Sequence, residues 1–128
     1  MIKRKNIEKN REILFVFGDN DERKGFGGMA KEFRGEINSI GIRTKKSPSS
    51  NLDAYYNDSE YEENCRKISE DVKSIIKKSK DYVGVWFTRN IGQGLADLPK
   101  KAPKTFEFLM KEFDRLEKAL NTRNKKGF

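Results

Sequence analysis

Short apolar runs alternate with stretches of helical periodicity along this chain, and that alternation narrows the fold more than any other feature. The first run, Ile13-Leu14-Phe15-Val16-Phe17, is unbroken by polar residues. Such a run suits a strand buried on both faces. Ser39–Arg43 reads as a second, short strand and Tyr82–Thr88 as a third. Amphipathic segments lie between them. A short helix starts near Gly28, carries Met29, Ala30 and Phe33 on one side, and stops at Gly35. Ser59 and Glu62 have the spacing of a capping box. The stripe that follows runs through Tyr61, Cys65, Ile68, Val72, Ile75 and Ile76. Pro103 suits a first helical turn, and Phe106, Leu109, Met110, Phe113, Leu116 and Leu120 make a second stripe. Both stripes repeat about every 3.6 residues. The order strand, helix, strand, helix, strand, helix predicts an α/β fold with a small, mostly parallel sheet.

The chain has 128 residues, enough for one domain with one core. That domain is expected over 1–120, followed by a frayed polar tail at 121–128. No apolar run is long enough for a membrane span, and no signal-peptide core follows Met1. A single cysteine excludes an internal disulfide and fits a reducing compartment. The expectation is a soluble, cytoplasmic protein with no membrane partner. The formal charge of +8 favours an anionic partner. The chain has no histidine, which excludes a Ser-His-Asp triad, a Cys-His pair and a histidine-based zinc site. No metal and no cofactor is expected. Any catalysis must use carboxylates, lysine, tyrosine or backbone dipoles.

Two glycine-bearing loops follow strands. After the first strand come Gly18-Asp19-Asn20 and then Gly25-Phe26-Gly27-Gly28; after the third comes Asn90-Ile91-Gly92-Gln93-Gly94-Leu95. Glycine lets the backbone approach a ligand closely, and free N–H groups between strand and helix favour an anion. Ligands of parallel sheets sit at the carboxyl ends of the strands. Both loops fall there, and so does Thr44-Lys45-Lys46. Asp19 can accept from an exocyclic amine such as that of adenine, or merely cap a turn. Lys45 can pair with a phosphate or attack a sugar carbon as an amine, or be one of two solvated lysines. Cys65 and Trp86 read as packed residues. Tyr55 and Tyr56 can stack on a base or pin the long loop at 44–58. The order Gly25-x-Gly27-x-x-Ala30 hints at a dinucleotide fingerprint. It stands too far from the strand for that turn, and no acidic residue closes the second strand.

Gly92-x-Gly94-Leu95-x-x-Leu98 after an apolar strand resembles the phosphate loop of macro domains, the modules that bind ADP-ribose. Gly18-Asp19 is similar to the pair whose aspartate receives the adenine amine in that family. Gly25, Gly27 and Gly28 fit the segment that contacts the distal ribose and phosphates. Thr44-Lys45-Lys46 resembles the Thr-Lys-Lys of the terminal ADP-ribose protein glycohydrolase branch, whose first lysine takes part in removing ADP-ribose from acidic side chains. Residues 34–45 also look like small macro-like proteins of phages and bacteria. The similar stretches span 13–46 and 82–110. The resemblance implies a three-layer fold, with helices on both faces of the sheet. In the glycohydrolase branch an aspartate follows Gly-x-Gly-Leu directly; here Ala96 stands there and Asp97 comes next.

Three functions compete. The first is binding of ADP-ribose or a related NAD-derived nucleotide by Gly18, Asp19, Asn20, Gly25, Phe26, Gly27, Gly28, Thr44, Lys45, Asn90, Ile91, Gly92, Gln93, Gly94 and Leu95. The second is an ADP-ribosyl glycohydrolase acting on modified protein or nucleic acid, with Lys45 and Asp97 catalytic. The third is a basic nucleic-acid-binding protein, whose affinity must fall steeply with salt. Ala96 tips the balance towards binding.

Overall fold

The computed structural model describes residues 1–127, with side chains as far as Asn121. Three parallel strands form one sheet: β1 (Ile13–Asn20) lies in the centre, with β2 (Ser39–Lys45) on one side and β3 (Gly84–Trp86) on the other. The central place of β1 explains its unbroken apolar run. Successive side chains of a strand point to opposite faces, and here both faces are covered. Leu14 and Val16 enter a core with Ile68, Val72 and Ile75 of α3 (Tyr61–Lys78) and Leu109, Phe113 and Leu116 of α5 (Pro103–Gly127). Phe15 and Phe17 enter a second core with Ile7 of α1 (Arg4–Lys9) and Ala30 and Phe33 of α2 (Ala30–Phe33). The molecule is therefore a three-layer α/β fold. Trp86 joins the second core, its ring centroid 6.1 Å from Phe15 and 5.7 Å from Phe33.

Several boundaries differ from the sequence reading, among them the end of β2, which takes Thr44 and Lys45 out of the loop read at 44–58. β1 runs on through Gly18, Asp19 and Asn20, because β2 continues to pair with it as far as Lys45, across a register shift after Asp19. β3 is shorter than 82–88: it pairs only with Ile13, Leu14 and Phe15, and as an edge strand it is half-buried. Ser59 and Glu62 do not cap α3. A single 3₁₀ turn, Asp58–Glu60, precedes the helix, and the Asn57 side chain accepts the Ser59 N–H. Asp58 instead accepts from the N–H groups of Lys104 and Thr105, at 2.8 and 3.0 Å, and so caps the start of α5. Gly35 ends α2 with φ 92°, as a left-handed helix stop requires. α5 continues along the backbone into the stretch read as a tail, whose side chains from Thr122 onward lie outside the described residues. Among the described residues, no helix is long and apolar enough to cross a membrane.

Candidate functional site

The carboxyl ends of β1 and β2 and both glycine loops surround one cavity of about 690 Å³. That size suits a small-molecule ligand of nucleotide dimensions, since such sites span roughly 300–1,000 Å³. Gly18, Asp19 and Asn20 enter from β1, and Thr44 and Lys45 from β2. Every residue expected to bind ligand lines the cavity except Phe26, whose side chain is 65% exposed. Asp97 is the other departure. The lining ends at Ala96, and Asp97 takes a left-handed φ of 48° as the first residue of the turn into α4 (Leu98–Lys101).

The second glycine loop is built by its own backbone. The Gln93 N–H donates to Asn90, that of Asp97 to Gly94, and that of Leu98 to Gly92, all within 3.0 Å. Gly92 has φ 90°, and a Cβ there would stand 2.9 Å from Leu109 and 3.0 Å from Leu98. The loop is thus pressed onto the core, where Ile91 and Leu98 are buried. No acceptor within the described residues takes the N–H groups of Gly92, Gly94, Leu95 or Ala96. A Cβ added at Gly94 would meet nothing within 4 Å.

The first glycine loop carries another such group. The N–H groups of Gly25, Phe26, Gly27, Gly28 and Met29 also have no acceptor among the described residues. Leu95 lies across this loop, with its Cδ1 3.1 Å from where a Gly27 Cβ would stand. The two loops touch, and all of these residues except Phe26 line the one cavity. Clusters of unbonded backbone N–H groups bind anions.

A family model described as a family of unknown function, DUF7831, matches residues 1–112. The chain belongs to the DUF7831 family. No curated protein and no solved structure matches it.

In this DUF7831 member the charges at the cavity are largely paired. Asp19 is buried, and both of its carboxylate oxygens face arginines: Arg34 bonds Oδ1, and Arg23 reaches Oδ2 at 3.3 Å. The Asn20 N–H also donates to Oδ1 at 2.8 Å. An adenine amine would have to share an acceptor already in use. Lys45 is 8% exposed and has no carboxylate partner among the described residues. Its Nζ donates to the Ser49 carbonyl at 2.6 Å and lies 4.6 Å from the Tyr55 ring centre. Burial holds its ammonium below the ordinary lysine value. Tyr55 therefore pins Lys45, and Lys101 approaches the same ring at 4.9 Å. Tyr56 is fully buried and donates to Asp21 at 2.5 Å, so it too fixes the scaffold.

Sequence reasoning misses Arg34, Lys24 and Pro48, which also line the cavity. Arg34 ends the short helix after the first glycine loop. Its contact with Asp19 is made across 15 residues and depends on how the loop folds back. No local periodicity encodes that.

Proposed function

We propose that this protein binds ADP-ribose or a related NAD-derived nucleotide in the cavity between its glycine loops. The observation that carries the reading is the double set of residues with unbonded backbone N–H groups, Gly92 and Gly94–Ala96 in one loop and Gly25 and Gly27–Met29 in the other, that line one cavity of about 690 Å³. Two such cradles suit the two phosphates of a diphosphate. The macro-domain resemblance adds the nucleotide to the diphosphate. A single cysteine agrees with a cytoplasmic protein.

Binding is favoured over glycohydrolysis. Lys45 lines the cavity with a depressed ammonium pKa, as an amine nucleophile would. But its Nζ is engaged by Ser49, and Asp97, the expected acid–base partner, is outside the lining. Release of ADP-ribose from a modified glutamate peptide, lost in Lys45→Ala, would reverse this order.

Titration calorimetry with ADP-ribose tests the reading. The expected Kd is on the order of 1 μM, about −8 kcal/mol. Gly94→Glu is expected to abolish the heat while the protein stays folded, since a Cβ there meets nothing within 4 Å and the added charge opposes an anion. Absence of heat from the wild-type protein with ADP-ribose and NAD ends the proposal.

A further inference from the structure

Two carbonyls of the first glycine loop are gripped by a side chain that belongs to neither loop. The Arg34 guanidinium donates from Nε to the Gly25 carbonyl at 2.7 Å and from Nη2 to the Lys24 carbonyl at 3.1 Å. The same group bonds both oxygens of Asp19, at the end of the central strand. Its cation lies 5.5 Å from the centre of the Phe17 ring, and its side chain is 15% exposed. A planar fork with fixed donor directions can span a carboxylate and two carbonyls at once; an ammonium cannot.

The geometry of the peptide bond gives these contacts a consequence. In a trans peptide the C=O and the following N–H point in opposite directions. The described residues have no cis peptide. Drawing the carbonyls of Lys24 and Gly25 onto Arg34 therefore turns the N–H groups of Gly25 and Phe26 away from it. Those N–H groups have no acceptor among the described residues. The Asn20 amide reinforces the arrangement by donating to the Lys24 carbonyl at 2.7 Å. The loop backbone must be unusual to comply: Gly25 has φ 93°, and a Cβ there would fall 2.8 Å from Pro48.

We propose that Arg34 is a positioning residue for anion binding: by gripping two loop carbonyls against Asp19, it fixes the backbone of the first loop so that the free N–H of Gly25, a residue of the cavity wall, is presented to the ligand's phosphate. This deepens the nucleotide-binding reading and rests on it. It also assigns Asp19 to holding Arg34 rather than to reading the base.

The test compares Arg34→Lys with the double variant Asp19→Asn/Arg34→Gln, which removes both charges together and so leaves no unpaired ion if the lysine variant fails to fold. Backbone amide chemical shifts are recorded without ligand, and ADP-ribose affinity by calorimetry. The expected result is a shift of the Gly25 and Phe26 amides with those of Gly92–Ala96 unmoved, and affinity for ADP-ribose lowered at least tenfold. Loop amides that stay in place in a folded variant overturn the positioning role. So does a displaced loop with unchanged affinity. A wild-type protein that binds no ADP-ribose instead overturns the nucleotide reading, whatever the loop amides do.

Discussion

The two glycine loops border the same cavity but are held there by different forces. The loop at 87–97 is held by backbone turns and by the core: Ile91 and Leu98 are buried, and Gly92 is pressed against Leu98 and Leu109. The loop at 21–29 is held by charge. Asp21 takes the Tyr56 hydroxyl and the Lys67 ammonium, the latter at 2.6 Å. Asp19 takes Arg34 and Arg23, and Arg23 reaches on to Asp71 of α3 at 2.9 Å. Arg23 does this from a left-handed backbone, φ 57°, which costs a non-glycine residue some strain. A core-held loop should fail only when the whole domain fails. A charge-held loop can be displaced by itself, which suits a segment that must adapt to a ligand.

The largest expected effect breaks the core-held loop. Leu98→Ala removes a fully buried side chain under Gly92 and should lower global stability by about 3 kcal/mol. Urea unfolding followed by far-UV dichroism measures this. A loss below about 1 kcal/mol would mean that the loop is not anchored by its packing.

Asp19→Asn is the matching break in the charge-held loop. Removing one partner of a buried ion pair costs about 3–5 kcal/mol. Here about 2 kcal/mol is expected, because Arg34 keeps the Lys24 and Gly25 carbonyls and Arg23 keeps Asp71. Hydrogen exchange at the hydrogen-bonded amides of Asp21–Lys24 should rise well before the midpoint of global unfolding. Exchange that stays coupled to global unfolding would erase the distinction between the loops.

The smallest effect concerns Lys45, a buried cation beside the charge-held loop. Burial lowers its pKa in the folded state below the unfolded value near 10.5, so the unfolded chain binds more protons between the two. Stability contributed by this residue therefore rises with pH across that window and is flat below it. The difference between wild type and Lys45→Met, from unfolding curves between about pH 8 and 10.5, should grow in favour of the wild type. A difference that is constant with pH would show that burial does not hold the Lys45 ammonium below its ordinary value.

Much of the layering was legible in the residues themselves. The unbroken run Ile13–Phe17 implied a strand covered on both sides, and β1 is that strand. The stripes at 61–76 and 106–120 implied two amphipathic helices; that they share a core, where Ile68, Val72, Leu109 and Phe113 meet, is a finding of the structure. The convergence of Gly18, Thr44 and Gly92 on one rim followed from the rule that parallel strands open their carboxyl ends together. The site was legible as backbone and not as charge. Asp19 was visible as a carboxylate after a strand, but its two arginine partners were not; Lys45 was visible, but its burial under Tyr55 was not.

The division has a physical cause. Periodicity and glycine placement act within a few residues, so the sequence by itself determined the strands, the main helices and the two loops that can expose N–H groups. A buried charge is decided by what lies across the fold. Only the packing of β2, β1 and α3 brings Arg34, Arg23 and Asp71 into reach of the end of β1. The tertiary structure therefore decided which carboxylate is free, which lysine is buried, and which arginine aims the first loop.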